Sequence, residues 1–97
     1  MSKIVLIDFF AVWCSPCRMQ DPILEDLKKK YEDKVEFNKI DVDKNGEIAD
    51  KYNVRAVPTL VLEKDGNILK KYIGVTAFKI LDGDIIEALK EGDQKWV

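Results

Sequence analysis

Ile4-Val5-Leu6-Ile7-Asp8-Phe9-Phe10-Ala11-Val12-Trp13-Cys14-Ser15-Pro16-Cys17 is the stretch that decides how this chain is read. Its first half is almost continuously apolar and rich in β-branched and aromatic side chains, which fits a strand buried on both faces, as in a parallel sheet. Trp13 to Cys17 ends that strand, and the period changes at once. Met19, Ile23, Leu24, Leu27 and Tyr31 recur at three- and four-residue spacing, the mark of an amphipathic helix. Pro16 suits the first turn of that helix, where its missing N–H is no loss. Pro22 falls inside it, removes one backbone bond and crowds the carbonyl of Arg18, which predicts a kink. Two closely spaced cysteines therefore sit at a strand-to-helix junction, and one carboxylate sits in the middle of the strand.

Outward from this stretch, Val35 to Val42 reads as a second strand. Asp43 or Asn45 then caps a short helix from about Gly46 to Tyr52. Val57 to Leu62 and Ile68 to Ile73 are strands joined through Glu63-Lys64-Asp65-Gly66-Asn67, whose Asp-Gly pair predicts a hairpin. Ile85, Ile86 and Leu89 mark a last helix, with Asp84 and Glu87 at capping-box spacing and Gly92 as its stop. The order is β-α-β-α-β-β-α, an α/β arrangement whose first β-α-β is a parallel unit. The chain has 97 residues, 46% of them hydrophobic, enough for one core and no second, so residues 1–97 read as a single domain.

Sixteen basic residues face eighteen acidic ones, for a formal charge of −2 and a pI near 5.1. That balance lacks the electrostatic footprint of a nucleic-acid binder and is equally unsuited to an anionic membrane surface. The chain contains no histidine, which removes Ser-His-Asp and Cys-His nucleophile pairs and every metal site that depends on imidazole. No run approaches the ~18 apolar residues of a membrane span. Ile4 to Cys14 fails as a signal-peptide core because Asp8 interrupts it and no small-residue cleavage site follows. The chain reads as cytoplasmic, where a cysteine pair is more often catalytic or metal-binding than a structural staple. Asp41-x-Asp43-x-Asn45-Gly46 matches the start of a calcium-binding loop, but Tyr52 stands where the closing Glu is required, so helix capping is the better reading.

Cys14 at a helix N-terminus sees the positive end of the helix dipole, which favours thiolate over thiol. Cys17, one turn on, is within reach of it. Cys14 is then exposed and nucleophilic, Cys17 recessed and resolving. Zinc is the alternative, but two cysteines without histidine fill half a tetrahedral site and would need a second chain; an inert pair is the other. Asp8 is costly in a buried apolar strand unless protonated, paired or hydrogen-bonded, and burial raises its pKa. A structural, hydrogen-bonded Asp is the bland alternative.

Trp13-Cys14-Ser15-Pro16-Cys17 at a strand–helix junction, with Val57-Pro58-Thr59 opening a later strand, resembles the thioredoxin family from about Ile4 to Gly74. The resemblance implies a thioredoxin fold with helices on both faces of its sheet. It implies a protein-disulfide reductase in which Cys14 attacks a substrate disulfide and Cys17 resolves the mixed disulfide. The Cys14–Cys17 pair is left as the redox-active disulfide, with no bound cofactor and no metal. A thioredoxin reductase or equivalent donor returns the electrons. The resemblance matches Asp8 to the family's buried proton acceptor for the second thiol, acting through water. It matches Lys39 to the lysine beside that Asp, against the alternative of an ordinary surface lysine on an edge strand. Pro58 matches the cis-proline that faces the disulfide, and Val57 the residue whose backbone pairs with an extended substrate. Trp13, Ala56, Ile73, Gly74 and Val75 complete an apolar groove beside Cys14, unless Ile73 and Val75 are plain core residues.

The chain departs from the family in several places. Ser15 stands where Gly is usual, and its hydroxyl could hydrogen-bond a thiolate and alter the redox potential. Phe10 replaces a common Trp. The chain starts on the central strand without the usual first strand and helix. That trims the sheet to four strands in order 2-1-3-4, with the last two antiparallel to the first two. Thr76 to Gly83 looks longer than its equivalent. At least two of Phe78, Ile80 and Leu81 are therefore expected to be buried, covering the face the missing helix would have shielded, with Trp96 as a further candidate and the protein monomeric. A thiol oxidase or isomerase, kept open by Ser15, and a binding module with incidental redox activity are the alternative functions.

Overall fold

The computed structural model describes residues 2–90. Its elements are β1 (Ile4–Phe10), α1 (Ser15–Tyr31), β2 (Val35–Asp41), α2 (Gly46–Lys51), β3 (Thr59–Lys64), β4 (Asn67–Ile73) and α3 (Phe78–Leu89). The four strands form one sheet in the order β2-β1-β3-β4. β1 pairs parallel with β2 and antiparallel with β3, and β3 pairs antiparallel with β4. β4 therefore runs in the direction of β1. The expectation that both late strands oppose both early ones is corrected: the hairpin itself turns β4 back. That hairpin closes through Asp65 and Gly66, at φ 54° and 83°. Positive φ at both central residues is what a two-residue turn between twisted strands requires, and Asp-Gly supplies it.

β1 is apolar on both sides because both sides are covered. Ile4 and Leu6 face α1 and α3, where they pack with Leu24, Leu27, Leu81 and Ile85. Val5, Ile7 and Phe9 face the other way, with Val61. That second face is closed by the segment carrying α2. Tyr52, the C-cap of α2, lies with its ring 5.3 Å from that of Phe9 and donates its hydroxyl to Glu63. The Lys71 ammonium donates to the carbonyls of Tyr52 and Asn53 at 3.0 and 2.7 Å, tying the same segment to β4.

Phe78, Ile80 and Leu81 do not perform that task. They form the first turn of α3 rather than a loop before it. Leu81 is buried and Phe78 half-buried against the α1 side of the sheet, while Ile80 is exposed. Only one of the three is fully buried, and the face is the opposite of the expected one. Helical spacing explains this: Phe78, Leu81, Ile85 and Ala88 share a stripe, and Ile80 lies off it. The expected Asp84–Glu87 capping box is also absent, because the N-cap of α3 is Ala77. Asp84 instead accepts from the Tyr72 hydroxyl at 2.8 Å, and Asp82 accepts from the hydroxyl of Tyr31 and, at 2.8 Å, from Lys30. Two carboxylates of α3 thus clamp it to β4 and to α1. α1 runs without interruption through Pro22, which sits on its exposed side. Gly92 and Trp96 lie outside the described residues.

Candidate functional site

Cys14 is the N-cap of α1, in extended conformation at φ −92°, ψ 107°. Its Sγ accepts the backbone N–H of Cys17 at 3.2 Å, and its own N–H donates to the carbonyl of Ala11 at 3.1 Å. Ser15 and Pro16 form the exposed first turn. The two cysteines are joined as a disulfide, with Cα atoms 5.3 Å apart. Both are buried, so the expected contrast between an exposed first and a recessed second cysteine is not present in the oxidised protein. The reason is packing: the pair forms a small cluster with Ala11, against which Phe10, Val42 and Val57 pack.

The rim of the site is apolar and open. Trp13 is 66% and Ile73 72% exposed, and Val75 and Ala56 are exposed as well. Ile73 and Val75 are therefore not core residues. The Trp13 indole N–H is held by Asp43 at 2.9 Å. The Val57–Pro58 peptide is cis, and the Pro58 carbonyl accepts from Gly74 N–H at 2.8 Å. That bond, with the Thr59–Ile73 pairing, sets Ile73 and Gly74 beside Pro58, while Val57 packs on the cysteine cluster. Gly74 has φ 90°, a conformation that favours glycine.

Asp8 is 3% exposed, and among the described residues nothing hydrogen-bonds either of its carboxylate oxygens. Burial pushes its pKa from 3.8 up to about 6, with Lys39 pulling it down and Asp21 pushing it up. Asp8 and Lys39 are register partners on β1 and β2. The Lys39 ammonium nevertheless sits on Asp21, at 3.2 Å, and 4.6 Å from the centre of the Phe10 ring. Asp8, Asp21, Lys28 and Lys39 line a cleft of about 180 Å³ between α1 and β2.

Three participants are not apparent from pattern reading. Asp43 anchors Trp13, Asp21 engages Lys39, and Gln20 bonds α1 to the chain after β4. Gln20 alone left a trace in the sequence, as a polar residue on the buried stripe of Leu24, Leu27 and Tyr31.

A cysteine pair joined across one helical turn, at the end of the central parallel strand of this sheet, defines a thiol-disulfide oxidoreductase. Comparison with known proteins narrows the class. The sequence profile of the family described as Thioredoxin matches residues 1–87. A thioredoxin of Staphylococcus aureus is 47% identical over 73 residues, covering 75% of this chain and 70% of that protein. One of Bacillus subtilis is 48% identical over 71 residues, covering 73% and 68%. Among solved structures, oxidised mitochondrial thioredoxin 3 of Saccharomyces cerevisiae superposes with a TM-score of 0.80 at 41% identity, over 88% of this chain and 78% of that one. The thioredoxin-2 component of malaria parasite protein secretion machinery gives a TM-score of 0.85 at 30% identity, over 89% and 84%. The chain belongs to the thioredoxin family. It is a protein-disulfide reductase that works by dithiol–disulfide exchange through Cys14 and Cys17.

Proposed function

We propose that Cys14 is the attacking thiolate, Cys17 the resolving thiol and Asp8 the base that serves Cys17. The observation that carries this reading is the cap geometry: Cys14 Sγ already accepts a helix N–H, the contact that stabilises a thiolate there. Cys14 S⁻ attacks one sulfur of the substrate disulfide, and the other substrate sulfur leaves as a thiolate and takes up a proton. Cys17 gives its proton to Asp8 through water and attacks Cys14 Sγ, releasing the second substrate sulfur. Two electrons pass from the dithiol to the substrate, and Cys14–Cys17 is left oxidised. On re-reduction Asp8 returns the proton. A carboxyl held near 6 is suited to both directions at neutral pH.

The substrate is a protein disulfide in an extended segment, docked in the groove of Trp13, Ala56, Val57, Ile73, Gly74 and Val75. Val57 lies before β3, outside the ladder, which supports backbone pairing with such a segment. Lys39 acts on Asp8 through its charge. A thioredoxin reductase or equivalent donor returns the electrons, and the protein serves as a monomeric electron carrier in the cytoplasm with no bound cofactor or metal. No helix among the described residues is long and apolar enough to cross a membrane.

The test is dithiothreitol-driven reduction of a protein disulfide by the intact chain and by Cys14→Ser, with the reduction potential measured against glutathione. Loss of turnover in Cys14→Ser and a potential near about −270 mV support the reading; turnover retained in Cys14→Ser overturns the assignment of the attacking thiolate.

A further inference from the structure

We propose that Gln20 is a positioning residue for substrate docking: its side-chain amide fixes the end of the Gly74–Thr76 segment to the cysteine-bearing helix and so sets the wall of the groove. The inference rests on the groove reading above. Gln20 is fully buried, three residues after Cys17 on α1. Its Nε2 donates to the Thr76 carbonyl at 3.0 Å, and its Oε1 accepts the Thr76 N–H at 2.7 Å. One amide thus pairs with both backbone groups of a residue 56 positions away, as a neighbouring strand would.

The rest of the segment is held in the same way. The Thr76 hydroxyl donates to the Gly74 carbonyl at 3.1 Å, and Gly74 N–H donates to the Pro58 carbonyl at 2.8 Å. Ile73 and Val75, the exposed apolar residues of this wall, lie within a short path tied at one end to Pro58 and at the other to α1. β4 ends at Ile73, so from Gly74 onward no ladder holds the backbone. Only a side chain with one donor and one acceptor at this reach satisfies both Thr76 groups. An apolar residue at position 20 leaves them buried and unpaired, and the segment must move to find other partners.

The position of this wall matters for an extended protein segment and not for a small disulfide that needs only access to Cys14. Removing Gln20 therefore removes docking, not chemistry. Gln20→Leu is expected to raise KM for a protein disulfide about 10-fold with kcat within about twofold, the signature of lost uniform binding. Reduction of the small aromatic disulfide 5,5′-dithiobis(2-nitrobenzoate) by the same variant stays within about twofold of the parent. Gln20→Glu is the rescue. An ionised carboxylate accepts from Thr76 N–H and repels its carbonyl, whereas the protonated acid offers the same donor and acceptor as glutamine. Its KM, taken relative to the parent at each pH, falls toward one as the pH is lowered through its titration. Ile73→Ser tests the groove itself.

A raised KM in Gln20→Leu, with pH-dependent recovery in Gln20→Glu, supports the proposal. If Ile73→Ser raises KM and the Gln20 variants do not, the positioning role is overturned and the groove stands. If no variant changes KM, both are overturned. A parallel loss of kcat and of small-disulfide reduction also overturns the proposal, because Gln20 then supports the cysteines rather than the groove. Should Gln20→Leu fail to fold, the pH-dependent KM of Gln20→Glu decides alone.

Discussion

Asp8→Asn should stabilise the protein at neutral pH, and by progressively less as the pH falls toward 4. In the folded chain the Asp8 carboxyl titrates at about 6 instead of 3.8, because burial opposes its charge. Well below 3.8 the group is protonated in both the folded and the unfolded chain, and ionisation adds no penalty. Between 3.8 and 6 the folded chain keeps a proton that the unfolded chain releases, so stability falls as the pH rises. Above 6 the full penalty is present. At 1.36 kcal/mol for each tenfold change in proton affinity it amounts to at most about 3 kcal/mol, an upper bound because the buried side chain also lines the cleft between α1 and β2. Asparagine does not titrate, so the gain over the parent should rise by about 2 kcal/mol between pH 4 and pH 8. The cost of burying the asparagine amide is the same at every pH and drops out of this difference. So do the carboxylates whose pKa values are lowered in the fold, at Glu36, Asp65 and Asp82, because both proteins share them. Urea unfolding of the oxidised proteins at intervals from pH 4 to 8 provides the measurement. Turnover of a protein disulfide at pH 7 should fall roughly 10–100-fold in the same variant, at or below the usual range for loss of a general base. A stability difference that is flat with pH, or a variant that is less stable at pH 8 and fully active, would refute the reasoning: Asp8 would then be a structural residue.

In the reduced protein, Cys14 should react with an alkylating agent at neutral pH well before Cys17, since its sulfur caps the helix; mass mapping that finds Cys17 labelled first reverses the two roles. Asp21→Asn should lower the Asp8 pKa, by removing a repelling charge and freeing Lys39 to approach, and Lys39→Gln should raise it. Carbon NMR of the Asp8 carboxyl reads both shifts, and an unmoved titration in the two variants rules out this coupling. Leu81→Ala should cost about 2–5 kcal/mol of stability by opening a cavity in the α1–α3 core. Ile80→Ser, one position away but exposed, should stay within about 0.5 kcal/mol. Equal costs in denaturant melts would contradict the placement of α3.

Features with a local cause were legible in the chain itself. Continuous apolar character placed β1 in the middle of the sheet, and Asp65-Gly66 made the hairpin because few dipeptides adopt positive φ twice. The spacing of Cys14 and Cys17 at a strand–helix junction pointed to dithiol chemistry, because a helix N-terminus and one turn of reach need nothing from the rest of the fold. The order of elements and of strands followed from the same local signals together with the family resemblance. Features decided by pairings between distant residues were not legible. Asp84 had capping-box spacing, yet Tyr72, twelve positions earlier, takes its carboxylate, and α3 begins six residues before it. Lys39 lies beside Asp8 in register, but a carboxylate on α1 holds its ammonium. Gln20 was one polar residue in an apolar stripe until the fold brought Thr76 to it. A side chain's period along the chain tells which way it points within its own element. Which partner it meets depends on how elements far apart in sequence pack, and at this site that packing gives Lys39 to Asp21 and Thr76 to Gln20 and leaves Asp8 without a hydrogen-bond partner among the described residues.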